Sequence, residues 1–227
     1  MIKKSRADNT FHSDLQRTKG IISISDHLQT NATSILSDTA DDLLRLAVVQ
    51  TVGSIDSYFS NVLFELLIDE SLLTSSQLTP DKSLLSFSIT DVSNMLSEKD
   101  DPLHLYLHRR RIISEKINRI PFQHPNTPAR LAKILGYSHF WDYVERGRPS
   151  TLSDSRELRS QYKDIIDRRN QIAHSIDRFS SADISRDTIS SDTVREYFTT
   201  VSHIQDCFES AVVGPHIQKT RPKDPRS

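Results

Sequence analysis

The sequence predicts an all-α fold, a single bundle of helices, on three observations. Apolar residues return every three or four positions over most of the chain, the interval that places them on one face of a helix. No stretch alternates with the period of two that a half-buried strand requires. The 5 glycines among 227 residues are too few for a series of tight hairpins or for a glycine-rich phosphate loop. Hydrophobic residues make up a lean 36% but are dispersed along the chain, so a buried core is expected. The expected division is a loosely ordered N-terminal arm over residues 1–36, a helical domain over 37–213 and a flexible tail over 214–227, where Pro, Lys and Arg accumulate.

Each element has its own warrant. Residues 1 to about 25 are polar and mixed and read as a loose arm with room for a short helix. Over 37–68, Leu44, Val48, Val52, Ile55, Phe59 and Leu63 keep helical spacing while apolar neighbours cover further faces. This predicts a central helix packed on several others, with Asp38 or Asp41 as its cap. A connector broken by Pro80 leads to a weaker helical stretch at Val92, Met95 and Leu96. Residues 102–120 repeat Leu103, Leu107, Ile112, Ile113 and Ile117 around Arg109-Arg110-Arg111 and stop at Pro121. Asn126-Thr127-Pro128 opens a short helix over 129–135 that Gly136 closes. His139, Phe140, Trp141 and Tyr143 form an aromatic packing anchor, and 147–150 is a loop. Two long amphipathic helices follow, over 158–176 and 194–213.

Composition excludes several function classes. With 29 Lys+Arg against 30 Asp+Glu the net charge is -1, so the chain is no wholly basic nucleic-acid binder, although local basic clusters remain. Cys207 is alone, which excludes an internal disulfide framework and points to a reducing compartment. No span approaches the roughly 20 apolar residues needed to cross a bilayer, and the basic N-terminus leads into no apolar segment. A cytoplasmic protein with no membrane partner is expected. His104 and His108 share a helix face but lack a carboxylate or cysteine companion, so no metal and no cofactor is assigned. Ser150 and Ser153 lack a nucleophile motif and read as loop and cap residues.

Two charges fall on apolar stripes. At 100° per residue, Arg169 projects about 20° from Leu158, in the middle of the stripe formed by Tyr162, Ile165, Ile172, Ala173 and Ile176. His174 lies about 140° round the helix from Arg169. On the first long helix Asp56 stands among Val49, Val52, Phe59 and Leu63. Isolated burial of either charge costs several kcal/mol. If the two helices pack together, Asp56 is the natural counter-charge for Arg169, in a bidentate carboxylate–guanidinium pair.

The segment Asp167-Arg168-Arg169-Asn170-Gln171-Ile172-Ala173-His174 holds Arg-Asn-x-x-x-His within an amphipathic helix. It resembles the signature of the HEPN superfamily. The stretch from Leu46 to Phe59, with Asp56 at its acidic position, is similar to the corresponding helix of the RiboL-PSP-HEPN branch. The resemblance implies a HEPN-like helical bundle with additional short helices, forming a homodimer in which the motif helices of two subunits meet across a cleft. It further implies a metal-independent endoribonuclease, with Arg169 and His174 as the catalytic pair, Asn170 as supporting polar residue and Asp56 as acidic partner. Active members commonly belong to bacterial toxin, antiphage defence or phage-exclusion systems, so an antitoxin or defence-system partner protein is also implied. In toxins controlled by a nucleotidyltransferase the pattern runs on as Arg-x4-His-x-Tyr; here Ile176 occupies that position, which sets this chain apart from that branch.

The residue chemistry fits RNA cleavage. An imidazole near its ordinary pKa of about 6.5 suits proton transfer from a 2'-hydroxyl and to a leaving 5'-oxygen. A guanidinium stays charged, and its fork matches phosphate oxygens. Arg168 and Arg178 are the candidate RNA-binding residues beside the pair; Arg109-Arg110-Arg111 reads first as a solvated helix face and second as an extension of the same groove. The alternative is a catalytically silent helical module that binds RNA or a partner protein.

Overall fold

The computed structural model describes residues 5–31, 34–68, 88–96, 102–152, 156–177 and 189–215. Among these are eight α-helices and no strand: α1 (Arg6–Asn31), α2 (Ser34–Ile68), α3 (Ile89–Leu96), α4 (Pro102–Ile117), α5 (Thr127–Ile134), α6 (Phe140–Arg146), α7 (Leu158–Asp177) and α8 (Ser191–Phe208). A π-helical turn, Glu209–Val213, continues α8. The all-α expectation holds. As its many-sided apolar pattern requires, α2 packs against α1, α4, α7 and α8.

The N-terminal region corrects the sequence reading: a 26-residue helix stands where a loose arm was expected. Ala7, Phe11, Leu15 and Ile22 form a narrow stripe that is buried against its neighbours. So few apolar positions in a polar segment give little periodic signal, yet each is almost fully enclosed. The pairing of α1 and α2 is antiparallel: Ser25 Oγ donates to the Ala40 carbonyl at 2.9 Å near one end. Farther along, the rings of Phe11 and Tyr58 lie 5.7 Å apart.

The first turn of α1 shows why this helix starts where it does. A helix leaves its first amides without internal partners, and here each finds an acceptor. Ser5 N–H donates to Glu209 Oε1 at 2.6 Å, those of Arg6 and Ala7 donate to the Glu65 carboxylate, and that of Asp8 donates to Ser5 Oγ at 3.0 Å. Glu209 is buried and also accepts from Ser5 Oγ at 3.0 Å and from Tyr58 Oη at 2.8 Å. Burial, then the charge of Glu209, hold the Tyr58 hydroxyl well above its ordinary pKa, so it remains a donor.

The remaining boundaries follow local chemistry. Asp38 and Asp41 do not cap α2; they lie inside it, beyond its first turn. Ser88 and Asp91 form a reciprocal cap on α3: Ser88 Oγ accepts the Asp91 amide at 3.0 Å, and Asp91 Oδ2 accepts the Ser88 amide at 2.7 Å. The Asp91 carboxylate also meets Lys116 Nζ of α4 at 2.7 Å, and these contacts hold its pKa down at about 2. α4 ends at Ile117, three residues before the expected limit, in a turn ahead of Pro121. α5 carries Pro128 in its first turn, and Gly136 after it takes a φ of 81°, the left-handed conformation that favours glycine. Phe140 is buried against Trp141 and Phe208, as expected of a packing anchor. Phe208 also meets Tyr58 and Phe59, joining α2, α6 and α8 at one aromatic centre. Residues 216–227 of the expected tail lie outside the described residues.

Phe11→Ala should lower unfolding free energy by about 3–5 kcal/mol in urea titration, as for a fully buried aromatic ring. A loose arm would give a change within roughly 0.5 kcal/mol.

Candidate functional site

The motif helix α7 is fixed at its start from α6 and the loop after it. Glu145 Oε1 accepts the Leu158 amide, while Arg148 holds the other carboxylate oxygen through Nε at 3.2 Å and Nη2 at 2.8 Å. Along α7, Leu158, Tyr162, Ile165 and Ile166 enter the main core. Ile172 enters a second cluster with Leu44, Ala47, Val48 and Val194. The helix is therefore held over its first half and again at Ile172, and Arg169 falls between the two clusters.

Arg169 is half-buried, as its projection onto the apolar stripe requires. Nη1 donates to Asn170 Oδ1 at 3.1 Å. Its Nε is buried and makes no hydrogen bond among the described residues, an arrangement that costs roughly 1–3 kcal/mol or more for a charged group. Asn170 is likewise half-buried. Arg168 Nη1 reaches Gln171 Oε1 at 3.5 Å, and its charge acts on Tyr197 of α8. His174 is exposed in the last turn of α7. Arg178 lies outside the described residues.

Asp56 is half-buried midway along α2. Burial raises its pKa above the ordinary 3.8; a hydrogen bond from Gln123 and the charge of Arg169 pull it down without cancelling the rise. The buried Tyr162 hydroxyl is itself pushed up, first by burial and then by the Asp56 charge, and stays protonated. The structure thus brings Asp56 and Arg169 within electrostatic reach, but the direct bidentate pair expected from the helical projections is not formed. The donor to Asp56 Oδ2 is Gln123 Nε2 at 3.2 Å. A projection of two helices contains no information about the loop between α4 and α5 that delivers this glutamine. Gln123 is the member of the site that sequence reasoning missed, and no spacing rule marks it.

Other candidate chemistry is weaker. Asp8, His12 and Asp206 place three ligand-type atoms within 4.8 Å of one another. Ordinary pairing explains the arrangement, because Asp8 Oδ1 accepts from Gln205 Nε2 at 2.9 Å and lies 3.2 Å from His12 Nε2. Burial pushes the Cys207 thiol to about 11, leaving little thiolate at neutral pH. An open cleft of about 590 Å³ beside Tyr137, His139, Asp142 and Arg146 includes none of the motif residues.

A family model described as RiboL-PSP-HEPN matches residues 14–214. The chain belongs to the RiboL-PSP-HEPN family. The match begins inside α1, so this HEPN domain takes in most of the helix that the sequence reading left outside it. HEPN domains are often nucleases, and they often bind RNA and form dimers. No curated protein and no solved structure matches the chain. No described helix of this HEPN domain is long and apolar enough to cross a membrane.

The Asp56 environment predicts a pH-dependent effect on stability. Because its pKa is raised in the fold, the fold favours protonated Asp56. That contribution is fully present below the unfolded value, near 3.8, and is lost as pH rises through the raised value. Asp56→Asn should therefore raise Tm at pH 7, with the gain disappearing below about pH 4 in calorimetric scans. A lower Tm at pH 7 would show that attraction to Arg169 outweighs desolvation.

Proposed function

We propose that this HEPN domain is a metal-independent endoribonuclease acting at a site shared by two copies of the chain. The observation that carries the reading is Arg169: a half-buried guanidinium whose Nε has no partner among the described residues, on the same helix as the exposed His174 and within reach of the Asp56 charge. A phosphate oxygen supplies the acceptor that such a group lacks, and a guanidinium remains charged while negative charge grows on phosphorus.

The reaction needs a base for the 2'-hydroxyl and an acid for the 5'-oxygen. One chain offers one motif imidazole, so His174 from each of two copies fills both roles. The attacking 2'-oxygen forms its bond to phosphorus as the bond to the 5'-oxygen breaks. The products are a 2',3'-cyclic phosphate and a 5'-hydroxyl. Asn170 holds one face of Arg169 through its Oδ1, and Asp56 biases the guanidinium from α2. Arg168 and Arg178 supply further positive charge along the RNA backbone. The family resemblance favours a cytoplasmic setting in bacterial toxin or antiphage defence, with an antitoxin or defence partner restraining the activity. Ile176 in place of the tyrosine disfavours control by nucleotide transfer to this helix.

One observation favours the second reading, a silent interaction module: no described residue hydrogen-bonds the His174 imidazole within one chain. Purified protein incubated with total RNA in EDTA separates the two. The nuclease reading expects cleavage leaving cyclic phosphates. His174→Ala should lower the rate by about 10²–10⁴-fold and Arg169→Ala by about 10²–10³-fold. RNA retained by the wild type without any cleavage would favour the silent module.

Full activity in a strictly monomeric protein would overturn the shared site. Sedimentation of active fractions should find the dimer.

A further inference from the structure

We propose that Gln123 is a positioning residue for this site, orienting the Asp56 carboxylate from the α4–α5 loop so that its charge stays directed at Arg169. The proposal rests on the reading of Arg169 as the phosphate-binding group. It begins from geometry: Gln123 Nε2 donates to Asp56 Oδ2 at 3.2 Å across 67 residues of sequence. A hydrogen bond to one carboxylate oxygen selects the plane of the group and leaves the other oxygen free to turn toward a cation.

The loop is built to hold that donor. Phe122, beside Gln123, is buried in the main core. Pro121 and Pro125 restrict the backbone on either side. Internal hydrogen bonds tie it further: Phe122 N–H to the Ile120 carbonyl at 3.0 Å and Thr127 N–H to the His124 carbonyl at 2.9 Å. Asn126 Oδ1 accepts from Arg159 Nη2 of α7 at 2.8 Å. The same short loop therefore touches the acid-bearing helix α2 through Gln123 and the motif helix α7 through Asn126. It registers one against the other.

The residue type matters. Among the described residues the charge acting on Asp56 is that of Arg169 on α7, and the titratable group that feels the Asp56 charge is Tyr162 of the same helix. A lysine or arginine at position 123 would neutralise the carboxylate and compete with Arg169. An apolar residue would leave the carboxylate unoriented and still less willing to ionise. A glutamine amide donates without charge, so it orients Asp56 and leaves the full charge for Arg169.

The test uses Gln123→Met, which keeps length and removes the donor, and Gln123→Glu, which keeps length and sets a like charge opposite Asp56. The Asp56 carboxyl is titrated by carbon-13 NMR in each, alongside RNA cleavage. In Gln123→Met the Asp56 pKa should rise by about one unit and in Gln123→Glu further. kcat should fall by about tenfold while KM holds, as for a group that acts on the transition state through another. The acidic limb of the rate profile should move with the NMR value. An Asp56 titration unchanged by both substitutions overturns the proposal, whatever happens to cleavage. A wild type that cleaves no RNA, with the Asp56 shift intact, supports the positioning of Asp56 and removes only the nuclease reading.

Discussion

A helix with apolar side chains on nearly every face has to be enclosed, and that requirement on α2 organises the molecule. Water exposure of any one of its faces would forgo roughly 25 cal/mol for each Å² of apolar surface. α1, α4, α7 and α8 surround it. Enclosure then creates its own demands. The N-terminus of α1 is brought down on α2 beside Glu65, and its amides need acceptors; two carboxylates, Glu65 and Glu209, serve as those acceptors at the positive end of the helix. The π-turn after α8 is where Glu209 joins this arrangement, reaching both Ser5 and Tyr58.

The same enclosure sets the electrostatics of the candidate site. Asp56 stands on a face of α2 that is half-covered, and this burial raises its pKa. α7 packs on α2 through one cluster over its first half and another at Ile172, with Arg169 in between. The resulting pair of charges is held close but left without a direct bidentate contact. An arginine satisfied by an internal carboxylate would be poorly available to a phosphate. Here Gln123 occupies Asp56 Oδ2, and Arg169 Nε has no partner among the described residues. Local rules are broken where function is proposed, which is the expected place for such departures.

Legibility varied with the strength of local signals. The helices over 129–135, 158–176 and 194–213 were readable because their apolar spacing was regular and Asn126-Thr127-Pro128, Gly136 or a polar loop bounded them. α1 was not, because Ala7, Phe11, Leu15 and Ile22 make too thin a stripe to stand out in a polar segment. Its Ser5-x-x-Asp8 start is a capping signal, but such tetrapeptides are common and carry weight only beside a visible stripe. At the site, Arg169 and Asp56 were legible as charges out of place on apolar faces. The motif asparagine and histidine were legible through resemblance.

The sequence by itself determined the helical class, the central role of α2 and the stripe that strands Arg169 among apolar neighbours, since these follow from the 3.6-residue period acting within single segments. Only the tertiary structure decided that α1 is part of the core, that Glu65 and Glu209 cap it, and that Gln123 rather than Arg169 bonds to Asp56. Those contacts join residues far apart in the chain, and which donor reaches which acceptor depends on how whole helices are placed against one another.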